Sequence, residues 1–167
     1  DNYEVAFLVG VLVGLVTTSE GMPNANADKV VGWIGGMEDP TVNLYRDGFT
    51  EGAKYVDEDI EVLDVYVGSW NDPAKAKELA ASMIQEGADV IFTVSGGGDL
   101  GIYEEIQDKG IYGIAIDQNL NSTYPGHAIS ALLKDTGAGL YSMIEKYYEG
   151  TLPVGETTIF GLDSDGM

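Results

Sequence analysis

A chain of 167 residues with 44% hydrophobic content and mean hydropathy near zero has the size for one domain with a sizeable core, which excludes both a disordered polymer and a bundle of membrane helices. Its 28 acidic residues against 8 basic ones give a formal charge of −20; the acids are scattered as on a solvated surface, and the balance repels phosphate backbones and anionic lipid and excludes nucleic acid as a partner. With no Cys and the single His127, there are no disulfides, thiolate metal sites or Cys nucleophile, and most His-based catalysis is removed as well.

The first element is the apolar run Val5 to Val16, too short for the ~20 residues a membrane span needs. Its length favours a buried helix over Tyr3 to Thr17. No secretory signal precedes it, so the chain is expected to be either cytosolic or stripped of a leader. After the polar Asn24 to Asp28 loop, strand and helix signals alternate. Strands are predicted at Val30 to Ile34, Glu61 to Val67, Asp89 to Val94, Tyr112 to Ile116, Ala128 to Leu133 and Thr157 to Phe160. Between them, Thr41 to Val56 aligns Val42, Tyr45, Phe49, Ala53 and Val56 on one helical face, and Pro73 to Glu86 does the same with Ala76, Leu79, Ala80, Met83 and Ile84. Both helices start with Asp-Pro, an N-cap followed by proline at the first helical position, and the second stops at Gly87. Further helices are predicted from Asp99 to Lys109, before Gly110, and from Thr136 to Glu149, before Gly150. This alternation predicts a three-layer α/β/α fold with a mainly parallel sheet, formed by residues 1–167 as one α/β domain.

Ligands of open parallel sheets bind at the carboxyl ends of the strands, so the residues that follow each strand carry the functional reading. Trp70, in Tyr66-Val67-Gly68-Ser69-Trp70-Asn71-Asp72-Pro73, sits on a strand-to-helix loop where periodicity gives an indole no packing duty, and is a candidate stacking platform. Ser95-Gly96-Gly97-Gly98-Asp99-Leu100-Gly101 spells G-x-G-x-x-G between a strand and a helix, and Asp117 ends the next strand, as in a dinucleotide-binding fingerprint. Two complete strand-helix units precede it, however, and Asp99 puts negative charge where a phosphate would lie. A tight turn needing positive φ at Gly98 and Gly101 accounts for these glycines better. The Asp117 carboxylate can accept from paired sugar hydroxyls or cap a turn, and Lys134, at another strand end, can donate to a ribose oxygen or pair with Asp117. No nucleophile, base and orienter set is visible, because Ser95 lacks an evident His partner. Asp163 and Asp165 read as a solvated tail rather than a metal site, and no cofactor is expected.

Gly35-Gly36-Met37-Glu38-Asp39-Pro40, Gly48-Phe49-Thr50-Glu51-Gly52, the Gly68-Ser69-Trp70-Asn71-Asp72-Pro73-Ala74-Lys75 run, Gly87-Ala88-Asp89-Val90-Ile91-Phe92 and Ala115-Ile116-Asp117 together resemble the basic membrane protein family, the purine nucleoside receptor-like lipoproteins that serve ABC importers. The similarity covers nearly the whole chain, and the Gly-Ser-Trp-Asn-Asp-Pro run is its specific part. The resemblance implies a type I periplasmic-binding-protein fold, in which two α/β lobes close on a nucleoside, and a binding protein rather than an enzyme. It implies that Trp70 stacks on the base, that Gly97 or a neighbour offers a backbone contact, and that Asp117 and Lys134 hold the ribose. It also implies an ABC permease as partner and an extracytoplasmic location with a lipidated amino terminus. Family members carry a further lobe before the region matching Asp1 and continue beyond that matching Met167, so this chain is expected to correspond to the second lobe. The helix from Thr136 to Glu149, which tends to belong to the other lobe, is then expected to lack its usual partner, and the isolated lobe can homodimerise. The alternatives are a sensor or regulatory ligand-binding domain of the same fold, a dinucleotide-dependent oxidoreductase and a non-binding interaction domain.

Overall fold

The computed structural model describes residues 1–162. Five parallel strands, β1 (Val30–Gly35), β2 (Glu61–Tyr66), β3 (Ala88–Val94), β4 (Tyr112–Ile116) and β5 (Ala128–Leu132), form one sheet in the order β2-β1-β3-β4-β5. On one face lie α1 (Asn2–Thr17) and α2 (Pro40–Val56), packed on Val31, Trp33, Val90, Phe92, Ile114 and Ile116. On the other, α3 (Pro73–Gln85) and α4 (Asp99–Lys109) cover Val30, Ile34, Ile91 and Ala115. The three central strands are buried along their full length, as a sheet covered on both sides requires, and the edge strand β2 instead exposes Glu61 and Asp64. The opening segment is a helix as its length suggested, and the other four predicted helices and first five strands lie within a residue or so of their expected limits.

The helix starts follow from their caps. The Asp39 carboxylate accepts from the Thr41 and Val42 amides at 2.8 and 3.1 Å, Asp72 accepts from Lys75 N at 3.0 Å, and Pro40 and Pro73 open their helices. The contact between α1 and α2 is made backbone to backbone. A Cβ added at Gly48 or Gly52 would collide with the carbonyl oxygens of Tyr3 or Phe7, and one at Gly10 with that of Phe49. Only glycine permits this approach.

Two expectations need correction. Thr157 to Phe160 is not a strand: it runs beside α5 (Thr136–Glu149) and the start of α1, with the Asp1 amino group donating to the Phe160 carbonyl and Leu162 N to Glu4 Oε2 at 3.2 Å. Its Phe160 carbonyl is taken by the chain's amino terminus and not by a ladder. Positive φ falls on Gly96 (φ +64), not on Gly98 or Gly101; those two glycines are needed because a side chain would meet Ser95 Oγ or the Pro73 carbonyl. The α5 helix is formed as predicted, with Asp135 as N-cap and Gly150 as left-handed C-cap, but buries none of its residues. Asp163 and Asp165 lie outside the described residues.

Candidate ligand-binding site

The strand order reverses between β1 and β3, and the loops leaving their carboxyl ends diverge there, which opens a crevice. Into it the structure brings Trp70 from the loop after β2, Gly96 from the turn after β3, Asp117 from the end of β4 and Lys134 from just beyond β5, lining a cleft of about 580 Å³ with Asp39, Thr41, Tyr45 and Asp99. Three of the four sequence candidates therefore share one cleft. The fourth, Gly97, stands behind it, its amide donating to the Trp70 carbonyl at 2.8 Å, and its neighbour Gly96 faces the space.

Trp70 is held from three sides. The amides of Gly68 and Ser69 donate to the Gly36 carbonyl at 2.7 and 3.1 Å, which folds the β2 loop over β1. The indole then lies on Gly36, where a Cβ would run into its six-membered ring, and a Cβ at Gly96 would meet the same ring at 3.6 Å. Trp70 is 43% exposed, with a glycine floor under its ring. Behind the turn, Asp99 is buried at the start of α4 and its Oδ1 accepts from both the amide and the hydroxyl of Ser95, at 3.0 and 2.7 Å. Burial raises the Asp99 pKa, and the Ser95 hydrogen bonds partly oppose the rise.

Asp117 adopts φ +64, a left-handed conformation that costs a non-glycine residue about 1–2 kcal/mol. Its amide donates to the Leu132 carbonyl at 2.8 Å and its Oδ1 receives Lys134 Nζ at 2.8 Å. Lys134 also reaches the Tyr45 hydroxyl, at 3.4 Å, with Nζ 5.7 Å from the ring centroid. Partial burial works against the Lys134 charge, but the hydrogen bond to Asp117 and the proximity of Tyr45 outweigh it and hold its pKa above the ordinary value. The Asp117 side chain stays 57% exposed, so the ion pair opens onto the cleft. An aromatic face beside a fixed carboxylate and ammonium suits a small ligand with a planar ring at one end and vicinal hydroxyls at the other.

Tyr45 and Asp99 were not read as site residues. Tyr45 falls on the apolar face of α2 with Phe49, where periodicity marks core, and no signal in the sequence separates the two roles. His127 stands just before β5, at the amino ends of the strands, with Nδ1 2.9 Å from the Ile111 carbonyl, whereas Ser95 follows the carboxyl end of β3, so the two are no pair. Among the described residues no cluster of His, Asp and Glu is placed to hold a metal, and no helix is long and apolar enough to cross a membrane.

The sheet order and the position of the cleft are those of an open, doubly wound α/β fold, and solved structures identify it as periplasmic-binding-protein-like. A solute-binding protein of an ABC transporter system from Aeropyrum pernix superposes with a TM-score of 0.84 at 24% identity over 99% of this chain and 46% of its own, and a sugar-binding protein from Bacillus halodurans with 0.73 at 17%, over 96% and 55%. The family model of PnrA-like ABC transporter substrate-binding proteins matches residues 1–167, and the chain belongs to that family, one of binding proteins and not of enzymes. It is 30% identical to basic membrane protein D of Borreliella burgdorferi over 98% of its length and 46% of that protein, and 28% identical to the nucleoside-binding protein BmpA of Lactococcus lactis over 100% and 50%. The chain spans about half the length of these relatives.

Proposed function

We propose that this chain is one lobe of the substrate-binding component of an ABC importer, and that its cleft takes a purine nucleoside, with the base on Trp70 and the ribose hydroxyls on Asp117 and Lys134. The observation that carries the reading is the Lys134–Asp117 pair, closed at 2.8 Å, in the same cleft as a half-exposed indole on a glycine floor. A relative whose printed name is nucleoside-binding supports the ligand class. In this reading the protein works outside the cytoplasm, anchored by a lipidated amino terminus and delivering ligand to a permease. A second lobe closes the cleft, and Gly96 or Gly97 contributes a backbone contact. One lobe leaves a ligand face in water, so the 167-residue chain binds weakly and its exposed α5 promotes a homodimer.

The test is calorimetry against adenosine, inosine, guanosine, their 2′- and 3′-deoxy forms, the free bases, ribose and NAD, on this chain and on the longest natural form that contains it. Nucleosides are expected to bind in preference to ribose and NAD. Removal of a ribose hydroxyl and Asp117→Ala each remove one side of the same contact, so together they should cost little more than either alone. Equal binding of nucleosides and free bases overturns the sugar assignment, and preference for NAD overturns the class.

A further inference from the structure

Exposed lysine and aspartate side chains that meet at a surface gain little from each other and remain mobile. The Lys134–Asp117 pair has a third member that changes this. Tyr45 projects from α2, is 4% exposed, and is packed into the core that includes Phe49, Val42 and Ile116. That packing fixes its ring, and the ring and hydroxyl end in the cleft beneath the Lys134 ammonium. Asp117, the opposite partner, is fixed through its backbone by the Leu132 carbonyl.

We propose that Tyr45 is the positioning residue of the sugar subsite: its ring and hydroxyl seat the Lys134 ammonium, so that Lys134 and Asp117 present one fixed donor and acceptor arrangement to vicinal hydroxyls. This rests on the nucleoside reading above. Burial keeps the phenol neutral by raising its pKa, with Lys134 opposing, so the hydroxyl accepts from the ammonium and retains its own proton. Of the three ammonium hydrogens, one goes to Asp117 and one to Tyr45, which leaves one for a ligand oxygen. Tyr45 thereby acts on the ligand through Lys134. A residue that only filled core volume would have no such selective effect.

Tyr45→Phe keeps the ring and removes the hydroxyl; Tyr45→Leu removes both. On the 167-residue chain, binding of adenosine and of adenine is measured beside the side-chain ammonium resonance of Lys134 in 15N-lysine-labelled protein, assigned with Lys134→Met. Tyr45→Phe is expected to weaken adenosine by about three- to tenfold, Tyr45→Leu by more, with adenine unchanged and the Lys134 resonance broadened by faster proton exchange. In the Lys134→Met background, Tyr45→Phe should have no further effect on adenosine. An unchanged Lys134 resonance in both variants, or parallel losses for adenosine and adenine, overturns the proposal. If the unsubstituted chain does not prefer adenosine to adenine while the resonance still broadens in the variants, the seat stands and the nucleoside reading falls.

Discussion

The two tryptophans occupy opposite environments. Trp33 is fully buried and meets Tyr66 edge-on with centroids 5.3 Å apart, whereas Trp70 lies open on its glycine floor. Their emission should therefore separate, and a purine base placed on Trp70 should quench the solvent-exposed component while leaving that of Trp33 unchanged. Loss of a base-stacking contact worth ~1–3 kcal/mol predicts that Trp70→Ala weakens adenosine roughly tenfold to a hundredfold, with Trp70→Phe close to the unsubstituted protein. Calorimetry checks this, and equal affinity of the Ala variant and the parent would remove the stacking role. The loop position of Trp70 was legible because Asp72-Pro73 marks a helix start right after a β pattern. Its seat was not, because Gly36 lies 34 positions earlier in the chain and only the parallel pairing of β1 with β2 brings the two together. The left-handed backbone of Asp117 was invisible because Asp is tolerated in that conformation without requiring it, and the bond from its amide to the Leu132 carbonyl, which helps to hold it, joins separate strands.

At the scale of elements, α1 and α2 are coupled more tightly than side-chain packing allows. Gly52→Val should drive a side chain into the α1 backbone at Phe7 and Val11, push the helices apart and cost about 1–3 kcal/mol, read as a lowered urea midpoint, whereas a valine in place of Gly150 meets open space and is penalised only by its positive φ. The helices were legible from cap and period because both are local. Thr157 to Phe160 misled because β-propensity describes a fit to a pleated surface, and this segment meets helix ends instead. The α5 helix shows the opposite case, a correct local reading whose packing, chiefly against Phe160, leaves every one of its residues at least partly exposed. Its Leu140, Tyr141, Tyr147 and Tyr148 are all more than 60% exposed. Sedimentation is expected to show self-association of the chain, and Leu140→Glu with Ile144→Glu should shift it to monomer without altering the melting of the sheet and its four covering helices.

For the whole molecule, the net charge and two buried carboxyls set the response to pH. Burial raises the pKa of Asp89 and of Asp99 above 3.8, partly opposed by hydrogen bonds from Asn26 and Thr17 to the first and from Ser95 to the second. The folded chain therefore holds these protons to a higher pH than the unfolded one, and stability falls as pH rises from 3.8 through the raised values. Asp57 runs the other way, lowered by its hydrogen bond from Lys29, and its contribution is lost only below 3.8. Acidification also relieves repulsion within a chain of formal charge −20. The melting temperature should accordingly be higher at about pH 4 than at about pH 7.5, and Asp99→Asn, which still accepts from Ser95, should flatten the difference. A profile identical in the variant would take Asp99 out of the slope and leave it to Asp89 and the net charge. A last consequence follows from the hydrogen bond between the Asp1 amino group and the Phe160 carbonyl, with Leu162 held on Glu4. The first and last described residues of this chain therefore lie side by side, and a chain with adjacent ends tolerates being cut elsewhere. A circular permutant that joins the residues after Leu162 to Asp1 through a short glycine linker and opens the chain at the exposed Glu58–Asp59 turn keeps every strand in its place, and should melt cooperatively with the same sheet and the same cleft.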